Sequence, residues 1–324
     1  MIPSRDRIRI DVVPEDPEVL LDVLRRSLAR SPREIPPRYF YDDTGSRLFE
    51  EITALPEYYP TRTEERILAA CAEDVAARTG AGTLVELGSG AATKTRLLLD
   101  AMRSGGRLRR YIPFDVSEGI VRRAADELLR EYPDLSVHAV VADFAEHLDH
   151  IPPGEDRLCI FLGGTIGNFR PAEAVRFLRG VARRLAPGEH FLLGTDLVKD
   201  IGRLEAAYND SRGVTAAFNL NVLSVLNRLH GGDFDPGAFR HRAVYNRTDA
   251  WIEMWLTSTR RQEVSLPGLG LVFTVDEGEE ILTEISAKFD CPRVEAMLAA
   301  AGFEMVEFYT DPERLFGLSL ARRL

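Results

Sequence analysis

The sequence predicts an α/β fold: a doubly wound, mostly parallel sheet, with a second, smaller α+β domain carried by the same chain. Three features point there. Between Thr83 and Asp196 short apolar runs alternate with longer amphipathic segments, which is the rhythm of strands joined by crossover helices. The first of those runs ends in Gly88-Ser89-Gly90, a turn that lets backbone and ligand approach closely. After Leu197 the rhythm breaks, and it returns only near Pro292.

Taken in order, Pro17 to about Arg30 carries Val19, Leu20, Val23, Leu24 and Leu28 at helical spacing and is predicted as an amphipathic helix. Ile35 to Pro60 is dense in aromatics, Gly and Pro, which suits short helical pieces joined by turns. Thr61 or Thr63 would cap a helix running to Ala77. Leu84-Val85-Glu86-Leu87 is then a strand, followed by a helix through Lys94, Leu97, Leu98, Leu99 and Met102. Further strands are expected at 111–116, 137–143, 158–162 and 190–196. Helices are expected at 118–131 and 172–185, the second stopped by Pro187-Gly188. Strands buried on both faces read as such continuous apolar runs, and right-handed crossovers make the sheet doubly wound. A sheet of this kind binds ligands at the carboxyl ends of its strands, near a topological switch point.

Where the rhythm breaks, Arg203 to Leu226 reads as helical, and 250–256 and 270–275 read as antiparallel strands. A helix over 292–301 and paired strands over 303–309 and 316–321 complete the main sheet. The division that results is 61–196 with 287–324 for the sheet domain, and 1–60 with 197–286 for the smaller one.

Composition narrows the function. A formal net charge of −10 argues against a nucleic-acid surface, which needs clustered Lys and Arg. The basic residues are nearly all Arg, with Lys only at 94, 199 and 288, a skew that fits coding bias. Cys71, Cys159 and Cys291 are odd in number and lack metal-ligand spacing, so a reducing cytoplasm is expected and no disulfide framework. The charged start, Met1 to Arg7, has no apolar stretch behind it, and no run of 18 apolar residues exists; neither a signal peptide nor a membrane span is expected. The six histidines form no cluster, and no metal is expected.

The strand ends carry the chemistry. Gly88-Ser89-Gly90 alone also suits a dinucleotide enzyme, but Ala91 and Ala92 follow and no third Gly completes that fingerprint. Asp115 ends the second strand, where a carboxylate can accept both ribose hydroxyls. Asp143-Phe144 ends the third, where an acid can meet an adenine amino group while the ring packs on the base. Gly-rich, acidic, then acidic-plus-aromatic ends resemble the S-adenosylmethionine (SAM) methyltransferase sheet, a Rossmann-like arrangement. Glu86 is expected to hold the Gly-rich loop through its N–H groups. Lys94, expected one turn into the next helix, would meet the methionine carboxylate of SAM.

Longer segments carry a closer resemblance. They are residues 40–46 (Phe-Tyr-Asp-Asp-Thr-Gly-Ser), 55–64 (Leu-Pro-Glu-Tyr-Tyr-Pro-Thr-Arg-Thr-Glu), 85–90, 112–116, 161–168 (Phe-Leu-Gly-Gly-Thr-Ile-Gly-Asn), 193–200 and 282–289 (Leu-Thr-Glu-Ile-Ser-Ala-Lys-Phe). With these, the chain resembles the ergothioneine-pathway L-histidine Nα-methyltransferases from about Pro36 to Leu320. The resemblance implies a SAM-dependent enzyme that trimethylates histidine to hercynine. It implies SAM contacts from Tyr58, Gly88, Lys94, Asp115, Asp143 and Phe144. It implies that Asn168 and Tyr208 meet the histidine carboxylate and that Glu284 and Ser286 meet the imidazole, with Met254 and Phe49 as apolar walls. Tyr41, Gly163 and Thr215 would lie near the amine or its bound water, so Tyr41, Asn168 and Gly163 are the expected catalytic residues, with proton loss to water near Tyr41 and Asn168. A monomer is expected.

The residue chemistry suits those roles. Asn168 and Tyr208 offer donors to a carboxylate; Glu284 can accept an imidazole N–H, and Ser286 can donate to or accept from the other nitrogen. An i, i+2 pair in an extended segment faces one side. A Tyr-rich wall suits a product with a quaternary ammonium. Rival readings are a catalytically silent SAM-binding module, a nicotinamide oxidoreductase, and a relative acting on another amino acid such as an indole-bearing one.

Overall fold

A computed structural model describes residues 7–324; the first six residues, where the charged N-terminus begins, lie outside the described part. In chain order the elements are β1 (Ile8–Val12), α1 (Pro17–Leu28), β2 (Arg33–Glu34), α2 (Asp43–Thr53), α3 (Pro60–Thr79), β3 (Thr83–Leu87), α4 (Thr95–Ser104), β4 (Arg110–Asp115), α5 (Glu118–Glu131), β5 (Ser136–Val141), β6 (Arg157–Phe161), α6 (Pro171–Arg184) and β7 (His190–Asp196). Then come α7 (Ile201–Tyr208), α8 (Val214–His230), β8 (Phe239–Asn246), β9 (Trp251–Ser258), β10 (Gln262–Leu266), β11 (Leu271–Val275), β12 (Glu280–Ala287), α9 (Cys291–Ala300), β13 (Phe303–Thr310) and β14 (Phe316–Arg323). The chain divides into two compact units, a larger one of 7–15, 62–197 and 289–324, and a smaller one of 16–61 and 198–288.

The larger unit is built on an eight-stranded sheet ordered β1-β5-β4-β3-β6-β7-β14-β13. The strands from β1 to β7 are parallel. β14 enters antiparallel to β7, and β13 pairs antiparallel with β14. From β3 the chain winds outward through β4 and β5, then returns to the other side through β6 and β7, so the switch point lies at β3 and β6. Every residue of β3 and β6 is buried, which is why both read as unbroken apolar runs. Leu84, Leu98, Leu99, Tyr111, Leu128, Leu158, Leu192 and Phe316 join one core, each contributing roughly 1.5–3 kcal/mol by leaving water.

β1 differs from expectation. Residues 1–60 were expected to go with the smaller domain, yet Ile8–Val12 pairs in parallel with β5 and forms the edge of the main sheet. A single five-residue strand has no neighbouring crossover pattern to betray its partner. There His138 Nε2 and Asp11 Oδ2 are 2.7 Å apart.

The smaller unit has a four-stranded sheet ordered β2-β12-β9-β8 and a β10-β11 hairpin. The strands predicted at 250–256 and 270–275 are antiparallel as expected, but each pairs elsewhere, β9 with β8 and β12, and β11 with β10. The helix predicted through 203–226 is two helices. Asp210 breaks it, its carboxylate accepting the N–H groups of Arg212, Val214 and Thr215 and so capping α8. In α1, Asp16 is the cap, its carboxylate accepting the Glu18 N–H at 3.0 Å, and Leu24 and Leu28 are buried, while Val19 and Val23 are exposed. The 35–60 stretch contains a short 3-10 turn at Pro37–Phe40 and then α2. α3 begins at Pro60, so Thr61 and Thr63 lie inside it and do not cap it; proline's preset φ starts the helix instead. Among the described residues no helix is long and apolar enough to cross a membrane.

Candidate active site

In the larger unit, the predicted residues gather at the carboxyl ends of β3, β4, β5 and β6. Gly88 has φ +70°, and its N–H donates to Phe114 O at 2.7 Å, which ties the turn to β4. A Cβ on Gly88 would stand 3.4 Å from Cε1 of Phe144, so the ring predicted to pack on adenine lies against the glycine turn. Phe144 is held edge-on by Phe161 at 5.2 Å. The Asp143 carboxylate accepts the Ala145 N–H at 2.8 Å.

Asp115 accepts the Gly90 N–H at 2.9 Å on one oxygen and the Ser117 N–H at 3.0 Å on the other. A carboxylate has about four acceptor positions, so one per oxygen remains for the two hydroxyls of a ribose. Burial pushes Asp115 above the usual carboxylate range, opposed by these backbone N–H groups. Ser89 Oγ is buried with no hydrogen-bond partner among the described residues. An orphaned hydroxyl in the glycine turn, with a carboxylate of spare acceptor capacity beside it, fits a nucleoside-bearing ligand.

Two expectations change here. Glu86 does not hold the glycine loop by its N–H groups. Its carboxylate is buried, with Thr95 Oγ1 2.7 Å from each oxygen and the Tyr111 hydroxyl donating to Oε2. The side chain of a strand residue points away from the strand's own axis, toward α4 and β4, and not along it to the turn. Burial pushes the Glu86 carboxyl up to about 7. Lys94 stands just before α4 and not one turn into it. It forms an ion pair with Glu64, whose side chain is completely buried. The other oxygen of Glu64 accepts the Gly163 N–H at 2.7 Å. A Cβ on Gly194 would come within 2.3 Å of that oxygen, so β7 needs glycine there to admit the carboxylate. Gly163 and Gly164 both have positive φ, and Asn168 ends the 3-10 turn of Thr165–Asn168 that follows. Lys94, Gly163 and the turn leading to Asn168 are thus tied to one buried acid.

In the smaller unit, the remaining predicted residues form a continuous neighbourhood. Tyr41 meets Phe49 edge-on at 5.8 Å, Phe49 meets Tyr58 at 6.3 Å, and Tyr58 meets Tyr208 at 6.4 Å. Phe218 lies 6.0 Å from both Tyr41 and Phe49, one turn along α8 from buried Thr215. The Tyr208 hydroxyl donates to Ser286 Oγ at 2.8 Å. These two residues were expected at opposite ends of the substrate, and here their hydroxyls touch. On β12 the register slips between Leu282 and Glu284, and at the bulge Thr283 Oγ1 lies 2.7 Å from Asn219 Oδ1 and 3.0 Å from Met254 O, its one hydrogen shared between them. The bulge re-aims the strand, setting Glu284 opposite Met254 and Ser286 opposite Ile252. Cross-strand partners share a face, so an acid, a hydroxyl and a thioether line one surface.

Glu64 and Lys288 are the residues that reading the sequence does not reveal. Glu64 sits in Thr63-Glu64-Glu65, a run that looks like a solvated first turn, yet Thr63 and Glu64 are both fully buried. Lys288 follows β12 and is also fully buried; its Nζ donates to Ser286 Oγ at 2.8 Å and to Tyr208 Oη at 3.0 Å. The only signal available was that three Lys survive in a chain whose other basic residues are Arg.

The order of the central strands, the glycine turn and the two acidic strand ends define the larger unit as a Rossmann-like, SAM-dependent methyltransferase sheet. The solved SAM-dependent methyltransferase of Clostridium acetobutylicum shares this fold, with a TM-score of 0.50 at 10% identity over 87% of this chain and 99% of that one. A family model described as histidine-specific, SAM-dependent methyltransferase matches residues 20–323. The histidine N-alpha-methyltransferase of Mycolicibacterium smegmatis is 52% identical over 94% of this chain and 95% of its own length. Ergothioneine biosynthesis protein 1 of Neurospora crassa is 31% identical over 86% of this chain, which corresponds to 32% of that longer protein. The chain belongs to the histidine-specific, SAM-dependent methyltransferase family.

Proposed function

We propose that this protein methylates the α-amine of L-histidine three times to give hercynine, the first step of ergothioneine formation. The observation that carries the reading is the face of β12, where Glu284, placed by the bulge opposite Met254, precedes Ser286 by two residues. A ring with two nitrogens needs such a polar pair beside an apolar wall; an indole does not. The relatives' names and the family description support the same substrate.

The larger unit is proposed to take the donor, with Asp115 on the ribose, Asp143 and Phe144 on the adenine, and Gly88 and Lys94 near the methionine portion; Tyr58 is assigned a share of that role. Bound SAM supplies a methyl group already activated by its sulfonium. The protein's task is to align and to exclude water. Asn168 is assigned to the substrate carboxylate, Glu284 and Ser286 to the imidazole with the Tyr208 hydroxyl held on Ser286, and Phe49, Met254 and Thr215 to its surroundings. The amine must be neutral to attack, and its proton is assigned to water held by Tyr41 and Asn168 near Gly163. The rings of Tyr41, Phe49, Tyr58 and Tyr208 offer faces to the quaternary ammonium that accumulates. The reading includes a monomer working in the cytoplasm.

Mass spectrometry of the full chain with SAM and each of the twenty amino acids tests this. Histidine gaining three methyl groups is the expected result, and methylation of another amino acid in preference to histidine overturns it. With Glu284→Ala, the histidine KM should rise about 5- to 150-fold, since a lost buried partner costs roughly 1–3 kcal/mol, while SAM binding persists. Unchanged histidine kinetics would remove the imidazole role.

A further inference from the structure

Ser286 can in principle donate to a ring nitrogen or accept from it. Its surroundings decide which. Ser286 Oγ receives a hydrogen from Tyr208 Oη at 2.8 Å and another from Lys288 Nζ at 2.8 Å. A hydroxyl oxygen has two lone pairs and one hydrogen, so both acceptor positions are taken and only the hydrogen is left to offer. Lys288 has N–H hydrogens and no acceptor, and it also donates to Tyr208 Oη at 3.0 Å. That bond turns the tyrosine hydrogen toward Ser286. Glu284, two residues away on the same face, offers only acceptors when ionised.

We propose that Lys288 is a positioning residue that sets the hydrogen-bond polarity of the ring pocket, so that the pocket takes a neutral imidazole with one N–H toward Glu284 and one bare nitrogen toward Ser286, and rejects imidazolium. The inference rests on the histidine reading above. Imidazolium would bring a second N–H against a Ser286 that has only a hydrogen to give. Composition supports a demand for lysine here. Of 41 Lys and Arg, three are Lys, and each has a defined partner: Lys94 on Glu64, Lys199 on Tyr59 Oη at 2.7 Å, and Lys288 on the two hydroxyls. At position 288 a planar guanidinium fork cannot replace a compact Nζ that reaches two hydroxyls.

Several other titratable groups lie on the elements around Ser286. They are Glu284 and Lys288 themselves, Tyr208 and Glu205 on α7, Asp210 after it, His241 on β8 and Glu253 on β9. His241, with Nε2 2.8 Å from Tyr208 O, is held below its usual value by burial. Hydrogen bonds hold Glu253 and Asp210 below the carboxylate range despite their burial.

The test is calorimetry on the full chain saturated with S-adenosylhomocysteine (SAH), titrated with L-histidine from pH 7.5 to 5. A histidine isostere whose ring stays neutral throughout, β-(1,2,4-triazol-3-yl)-L-alanine, is titrated in parallel. For the parent protein the histidine Kd should rise about tenfold per pH unit below the imidazole pKa of ~6.5, while the triazole Kd stays level. In Lys288→Met an acceptor position on Ser286 opens, so the histidine slope should flatten; retained SAH binding reports a folded chain. Should that variant not fold, Tyr208→Phe opens the same position and should flatten the slope too. A level histidine profile in the parent, or an unchanged slope in the folded variant, overturns the role of Lys288. Failure of the parent to bind histidine at any pH overturns the substrate reading instead.

Discussion

Replacing Glu86 by Gln should stabilise the larger unit at neutral and alkaline pH and leave it unchanged in mild acid. The Glu86 carboxyl lies in the sheet interior on Thr95 and Tyr111, and burial raises it from 4.5 to about 7. The folded chain therefore holds a proton between those values that the unfolded chain has released. Its contribution to stability is fully present below 4.5 and is lost as pH rises through about 7. At ~1.4 kcal/mol per pH unit, the loss above pH 7 is about 3 kcal/mol. Glutamine carries hydrogens at every pH. Its carbonyl oxygen can take the Tyr111 hydrogen and its amide can donate to Thr95 Oγ1, as a protonated acid would. Urea unfolding followed by far-UV circular dichroism should show Glu86→Gln matching the parent near pH 4 and exceeding it by about 3 kcal/mol at pH 8. A variant less stable than the parent at pH 8 would refute the reasoning, since it would mean that Glu86 is ionised there and held as an anion.

Two further substitutions probe the larger unit. Asp115→Ala should weaken SAM and SAH alike by about 100-fold, the worth of two charge-assisted hydrogen bonds at roughly 1.5 kcal/mol each; intact affinity by calorimetry would remove the ribose assignment. Glu64→Gln keeps an acceptor for the Gly163 N–H but sets an amide against Lys94. Breaking a buried pair costs roughly 3–5 kcal/mol, and the partial exposure of Lys94 brings this to about 2 kcal/mol. Urea unfolding measures it, and an unmoved midpoint would show that the ion pair contributes nothing.

The alternating region was legible because each of its strands is buried on both faces and each crossover helix shows an apolar stripe. Glu118–Glu131 and His190–Asp196 fall where periodicity places them. The acidic strand ends were legible because the switch point of such a sheet dictates where a ligand must lie. What remained hidden depends on distant partners. The bulge at Thr283 is not a property of residues 280–287, whose alternation looks regular; it is set by Asn219 and Met254. Strand β8, with Phe239 and Ala243 buried among exposed Arg240 and half-exposed neighbours, has too weak a period to stand out alone. Glu64 looked solvated because charge usually is, and only the close approach of Gly194 and the Gly163 N–H reveals its pocket.

The buried charged groups share one logic. A sulfonium donor needs neither a metal nor an activated nucleophile to become reactive, so the residues can be spent on placement. Glu64 ties a lysine and a glycine turn together, Glu86 joins β3 to β4 and to the start of α4, and Lys288 orients two hydroxyls within the smaller unit. Each is costly to bury alone and becomes tolerable only through two or more specific partners. A half-satisfied network of this kind would be worse than an apolar core, and that is why each such residue has more than one hydrogen-bond partner.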